Sequence, residues 1–133
     1  MRIAIIDADL IGRKKHRFPN LACMKMSGYY KKLGYNVELK IDYNNLDQYD
    51  LVKISKVFTD TPIDKSILEL KNVEYGGTGF FFDTAPNLPD KIEQHMPDYH
   101  LYDEWINKQI KNGKSRNEFK EYLDYSIGLA IYF

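Results

Sequence analysis

Residues 3–20 read IAIIDADLIGRKKHRFPN, and their interpretation decides the fold. The run IAII at 3–6 is continuous, apolar and β-branched except at Ala4, the pattern of a strand covered on both faces in a parallel sheet. Asp7 ends the run. Asp9 and Gly12 follow, and then Arg13, Lys14, Lys15, His16 and Arg17 bring a burst of positive charge. Carboxylates at the mouth of a buried parallel strand draw notice because open α/β sheets bind ligands beyond the carboxyl ends of their strands.

Beyond Pro19 the periodicity becomes helical. Ala22, Met26, Tyr29 and Leu33 recur at helical spacing, with Asn20 as N-cap and Gly34 as C-terminal stop. VELKI at 37–41 and LVKISKVF at 51–58 read as strands, and the TDTP run at 59–62 as the cap of a helix over 63–70. Val73 to Tyr75 make a short strand that runs directly into Gly76-Gly77-Thr78-Gly79. Strands alternating with helices over short links predict an open, mostly parallel, Rossmann-like or flavodoxin-like α/β sheet over residues 1–82. Prolines interrupt the following stretch, so 83–113 reads as an irregular excursion with one helical turn at 90–95. Residues 114–133 read as a helix over 115–124, with Ser115 and Glu118 in capping-box spacing, and a terminal strand SIGLAIYF.

The chain has 133 residues, which fits a single domain. Its 19 basic and 19 acidic residues cancel, so no whole-protein field recruits nucleic acid or an acidic membrane, and nucleic acid is not an expected partner. Cys23 is alone, which excludes an intramolecular disulfide and a cysteine metal cluster within one chain. No run approaches the ~18 apolar residues of a membrane span, so a cytoplasmic location is the expectation. Eleven tyrosines and seven phenylalanines, mostly in polar company, suit half-buried boundary packing.

Three segments are predicted to meet at the carboxyl end of the sheet: DADLIGRKKHR, TDTP and GGTGF. The candidate binding residues are therefore Asp7, Asp9, Gly12, Arg13, Lys14, Thr59, Asp60, Gly76, Gly77, Thr78 and Gly79. The two aspartates suit a cation, a hydroxyl or loop amides, and Arg13, Lys14 and Arg17 suit an anion. GGTG lacks the lysine and spacing of a phosphate-binding loop, so it reads as a sharp turn or a close backbone approach. His95 and His100, with Glu93, Asp98 and Asp103, are residue types that hold zinc or iron, but Pro97 breaks the helix that would align them. Cys23 on the apolar helix reads as packed rather than reactive.

Taken together, DADLIGRKKHRFPNLACMKMSGYY, DYNNLDQYD, KVFTDTP, VEYGGTGFFFDTAP, LPDKIEQHMPDYHLYDEW and YSIG resemble the N-terminal, cobalamin-binding-like region of bacterial radical S-adenosylmethionine proteins. The resemblance reaches Gly128. It implies a Rossmann-like sheet whose D-x-H-x-x-G motif supplies a histidine to cobalt and whose glycine-rich loop lies along the corrin. Here Asp9 stands where that histidine would be, which implies cobalamin binding, if any, without a histidine lower ligand. In that family YSIG leads into CxxxCxxC, which holds an iron-sulfur cluster, whereas this chain ends in LAIYF. The resemblance thus implies a truncated relative without the catalytic barrel, without an iron-sulfur cluster and without catalysis of its own. The alternative expectations are a protein-interaction module of a mobile element or phage using its Tyr/Pro-rich surface, with self-association through the C-terminal strand, and a small hydrolase using the carboxylates with His95 or His100.

Overall fold

The computed structural model describes residues 1–81 and 87–123. Strands β1 (Arg2–Asp7), β2 (Asn36–Leu39), β3 (Leu51–Ser55) and β4 (Val73–Gly76) form one sheet in the order β2-β1-β3-β4, and every pair is parallel. This is the open α/β sheet that the strand–helix alternation predicts. β1 is central, with Ile5 opposite Leu39 on one side and Lys53 on the other. The strand order reverses between β1 and β3, which makes their carboxyl ends the topological switch point.

The alternation of β1 builds a core on each face. Ile3 and Ile5 pack with Cys23, Met24, Met26 and the 92–122 region, whereas Ala4, Ile6 and Ala8 pack with Leu46, Val52, Ile54 and Val73. Helix α1 (Ala8–Gly12) follows β1 without a linker, and α2 (Leu21–Lys32) makes the crossover to β2. Asn20 caps α2 as predicted, its Oδ1 accepting the Cys23 amide at 3.0 Å, and Gly34 takes a positive φ of 89° beyond its end. The buried side of α2 differs from the predicted stripe. Cys23, Met24, Met26 and Ser27 are buried while Leu33 is exposed, because the helix is covered both by the sheet and by the segment around 96–106. Met24 carbonyl accepts the Asp98 amide at 2.8 Å there, and Gly28 lies flat against Met96.

Four further expectations are corrected. The strand predicted over 51–58 stops at Ser55, because the Val57 and Phe58 amides leave the ladder to bind a side chain of the β1 loop. Helix α3 (Lys65–Leu68) is capped by Asp64, not by TDTP, and Thr61 of that run is buried and engaged elsewhere. The excursion is more regular than its prolines suggest. After α4 (Thr78–Phe81) and α5 (Asp90–Glu93), a nine-residue α6 (Asp103–Lys111) forms in the proline-free stretch beyond Pro97. Its acidic residues sit in the first turn and its lysines in the last, as the helix dipole favours. At 115 the capping box is absent. Ser115 Oγ accepts the Asn117 amide at the start of a 3-10 turn, Arg116–Phe119, and Glu118 reaches Arg17 instead. The predicted terminal strand lies outside the described residues.

A Cβ on Gly28 would stand 2.4 Å from the Met96 carbonyl oxygen, which is backbone and cannot swing away. Gly28→Val is therefore expected to lower the unfolding free energy by about 1–3 kcal/mol in urea titrations. A midpoint equal to wild type contradicts this packing.

Candidate functional site

The three predicted segments do meet, and the Asp9 carboxylate joins the first two. Asp9 is fully buried at the start of α1. Its Oδ2 accepts the Val57 amide at 2.7 Å, and its Oδ1 accepts the Phe58 amide at 3.3 Å and the Thr61 hydroxyl at 2.6 Å. The third segment joins through Lys56. Its carbonyl accepts the Gly79 amide at 2.8 Å, its Nζ donates to the Thr61 carbonyl at 3.0 Å, and its ammonium lies over the Phe80 ring. The Thr78 hydroxyl adds a bond of 2.9 Å to the Val57 carbonyl.

Most candidate residues therefore hold loops to one another. A Cβ on Gly12 would meet Thr61 at 2.8 Å, one on Gly77 would meet the Lys56 carbonyl oxygen at 2.3 Å, and one on Gly79 would stand 2.8 Å from both the Lys56 and Phe58 carbonyl oxygens. Gly77 also has φ 107°, so glycine is required there twice over. Arg13 pairs with Asp60 at 2.5 Å and lies over the Phe58 ring. Lys14 and Thr59 are exposed beside them.

Asp7 has a different task. It caps α1 through the Leu10 amide, 3.2 Å from Oδ1, and its Oδ2 accepts the Tyr102 hydroxyl at 2.7 Å. Tyr102 oxygen in turn accepts the Asn20 amide at 2.9 Å, and Asn20 Nδ2 donates to Ser55 Oγ at 3.0 Å. This buried relay pins the excursion to the carboxyl ends of β1 and β3. Burial raises the pKa of Asp7 above its ordinary value, opposed by the Tyr102 and Leu10 hydrogen bonds. Burial likewise pushes the Cys23 thiol well up, and its Sγ sits 3.7 Å from the Ile6 carbonyl oxygen, so this cysteine is packed and unreactive.

Gly76 alone among the glycines of GGTG has no described residue within 4 Å of an added Cβ. It lies in the floor of the larger cleft at the sheet's carboxyl end, of about 520 Å³. Lys53, Ser55, Glu74 and Gly76 line that cleft from the sheet, Ala22 and Met26 from α2, and Leu88 and Pro89 from the segment before α5. Lys53 and Glu74 are register partners joined by a short ion pair. Ser55 keeps its own hydroxyl proton to donate after accepting from Asn20. Lys53, Ser55 and Glu74 were not singled out from the sequence, although Lys53 interrupting the apolar LVKIS run was the signal. Thr61, Lys56 and Tyr102 left no such signal.

The histidines do not gather ligands. His95 Nδ1 faces the Met96 carbonyl at 2.9 Å, and His100 Nδ1 faces Asp103 at 2.8 Å. Among the described residues, no group of three or more His, Cys, Asp or Glu side chains is placed to hold a metal ion. No described helix is long and apolar enough to cross a membrane.

Asp9→Asn turns an amide donor toward amide and hydroxyl donors, so a loss of about 2–4 kcal/mol is expected in urea unfolding. Asp7 makes stability depend on pH. Because its folded-state pKa is raised, its contribution is fully present below the unfolded-state pKa and is lost as pH rises through the folded-state value. Wild type is thus expected to lose stability relative to Asp7→Asn as pH climbs from the acid end toward neutrality, and a pH-independent gap between the two speaks against it. Compared with known proteins, the chain matches no family model, no curated protein and no solved structure.

Proposed function

We propose that the protein is a non-catalytic binding domain that holds a cofactor-sized small molecule in the cleft over Gly76. The observation that carries this reading is the half-face of the sheet formed by Lys53, Ser55, Glu74 and Gly76. Strands of a doubly covered parallel sheet are apolar on both faces. Here the opposite face of β3 and β4 obeys that rule with Val52, Ile54 and Val73, whereas this face is polar and carries a cleft. Its volume of about 520 Å³ falls within the range of roughly 300–1,000 Å³ usual for small-molecule sites. An apolar lip of Ala22, Met26, Leu88 and Pro89 over donors and acceptors of balanced charge suits a neutral ligand with polar substituents. Among the described residues, no nucleophile is paired with a base in it, which supports binding rather than chemistry.

The sequence resemblance makes cobalamin the first ligand to test. The donor set fits only in part. Asp9, at the position of the cobalt-binding histidine, is buried and turned into the β3 loop with its oxygens engaged, so it does not serve as a lower ligand. Lys53, Ser55 and the bare Gly76 backbone would instead hold the cofactor's periphery, and cobalt chemistry would come from the cofactor alone. The interaction-module alternative draws less support from the Tyr/Pro-rich region, since Tyr102 and Tyr122 lie in the core.

Equilibrium dialysis against hydroxocobalamin, read by corrin absorbance, tests the proposal. Wild type is expected to retain the corrin, and Gly76→Trp to lose it with an unchanged unfolding midpoint, because the new side chain enters open space. Wild type that retains none removes cobalamin, and equal retention by Gly76→Trp removes the cleft.

A further inference from the structure

At the opposite side of the switch point, the loops that follow β1 and β3 display apolar side chains that the fold does not cover. Phe18, Val57 and Phe58 are 58%, 47% and 38% exposed. They are contiguous, since with Pro19 they surround a cavity of about 140 Å³. His16 stands between the two rings, edge-on to both, with centroids 5.8 Å from Phe18 and 5.9 Å from Phe58. His16 is itself buried, with Nε2 3.1 Å from the Phe18 carbonyl oxygen, so the patch rests on an ordered base. Beside it, Arg13 lies 4.2 Å from the Phe58 ring centroid and is paired with the Asp60 carboxylate at 2.5 Å. Lys14 and Lys15 are exposed next to it, and the described residues place no carboxylate against either. Lys15 holds a positive φ of 60°, so the turn that carries the two lysines adopts a backbone that L residues seldom take.

We propose that this patch is a docking surface for an acidic protein segment that carries one aromatic anchor. The argument is complementarity in shape and charge. A cavity of this size between two phenylalanines accepts one ring, and anchors seated in such cavities dominate interface energetics. The uncompensated lysines on an otherwise neutral chain supply a local positive field that selects an acidic neighbour and suppresses a basic one. Phenylalanines rimmed by cations are the arrangement in which an exposed apolar patch marks a partner rather than a packing leftover. Asp7 and Asp9 line the cavity, but both are buried and hydrogen-bonded inward, and Asp60 is paired with Arg13, so among the described residues Lys14 and Lys15 are the charges of this loop that no ion pair offsets.

The test uses the full chain and a fluorescein-labelled probe peptide, Glu-Asp-Phe-Asp-Glu, read by anisotropy. Measurable binding is expected. The double variant Lys14→Glu with Lys15→Glu should weaken it by about tenfold or more, and raised salt should act in the same direction. Phe18→Ala should weaken it too, as should alanine in place of phenylalanine in the peptide. These side chains are exposed, so the variants should keep the wild-type unfolding midpoint. Absence of binding, equal binding of a Lys-Lys-Phe-Lys-Lys peptide, or indifference to the charge reversal overturns the proposal. Cosedimentation with phosphatidylserine vesicles in the absence of peptide binding overturns it in favour of a membrane surface. Corrin retention over Gly76 is not expected to change in any of these variants, so the two proposals fail separately.

Discussion

The buried Asp9 carboxylate is the interaction on which the carboxyl end of the sheet depends. A carboxylate removed from water is costly unless its oxygens are satisfied. Here the Val57 and Phe58 amides and the Thr61 hydroxyl provide that satisfaction. The same bonds end β3 at Ser55, fold the following loop back over α1 and bring Lys56 under the glycine turn. Gly12, Gly77 and Gly79 then follow as consequences, because loops held this close leave no room for a Cβ.

The second constraint is how the excursion covers only half of one sheet face. Tyr102 bridges Asp7 and the Asn20 amide, and Trp105, Phe119 and Tyr122 cluster around it at centroid distances of 4.8–6.5 Å. That cluster closes the core over Ile3 and Ile5. Over β3 and β4 the same face carries Lys53, Ser55, Glu74 and Gly76, and among the described residues no core forms above them. One face of one sheet is thus divided into a covered apolar half and an open polar half. The division places the larger cleft beside the switch point, while the Phe18–Phe58 patch occupies the loops on its far side.

Much of the framework was legible in local sequence. IAII announced a central buried strand, Asn20 and Gly34 bounded α2, and the order of strands and helices gave the parallel sheet. Three departures share one physical origin, which is competition by distant partners. The strand over 51–58 was cut short by a carboxylate 48 positions away. Thr61 serves Asp9 rather than a helix cap, and Glu118 leaves its capping box for Arg17, 101 positions distant. Helix α6 departs from the expectation for a local reason, because Pro97 and the prolines before it bar a helix only where they stand and the stretch 98–111 contains none.

The sequence by itself determined that this is an open parallel α/β domain with candidate loops at 7–17, 59–62 and 76–80, because hydrophobic period and capping residues act over a few neighbouring positions. Only the tertiary structure decided which of those residues line a cleft. Asp9, Gly12, Gly77 and Gly79 turned out to bind the loops to each other, whereas Gly76, Lys53, Ser55 and Glu74 line open space. The physical reason is that a carboxylate or a bare backbone has the same local signature whether it meets a ligand or another loop. The difference lies in what stands within a few ångströms of it, and those neighbours come from parts of the chain far apart in sequence.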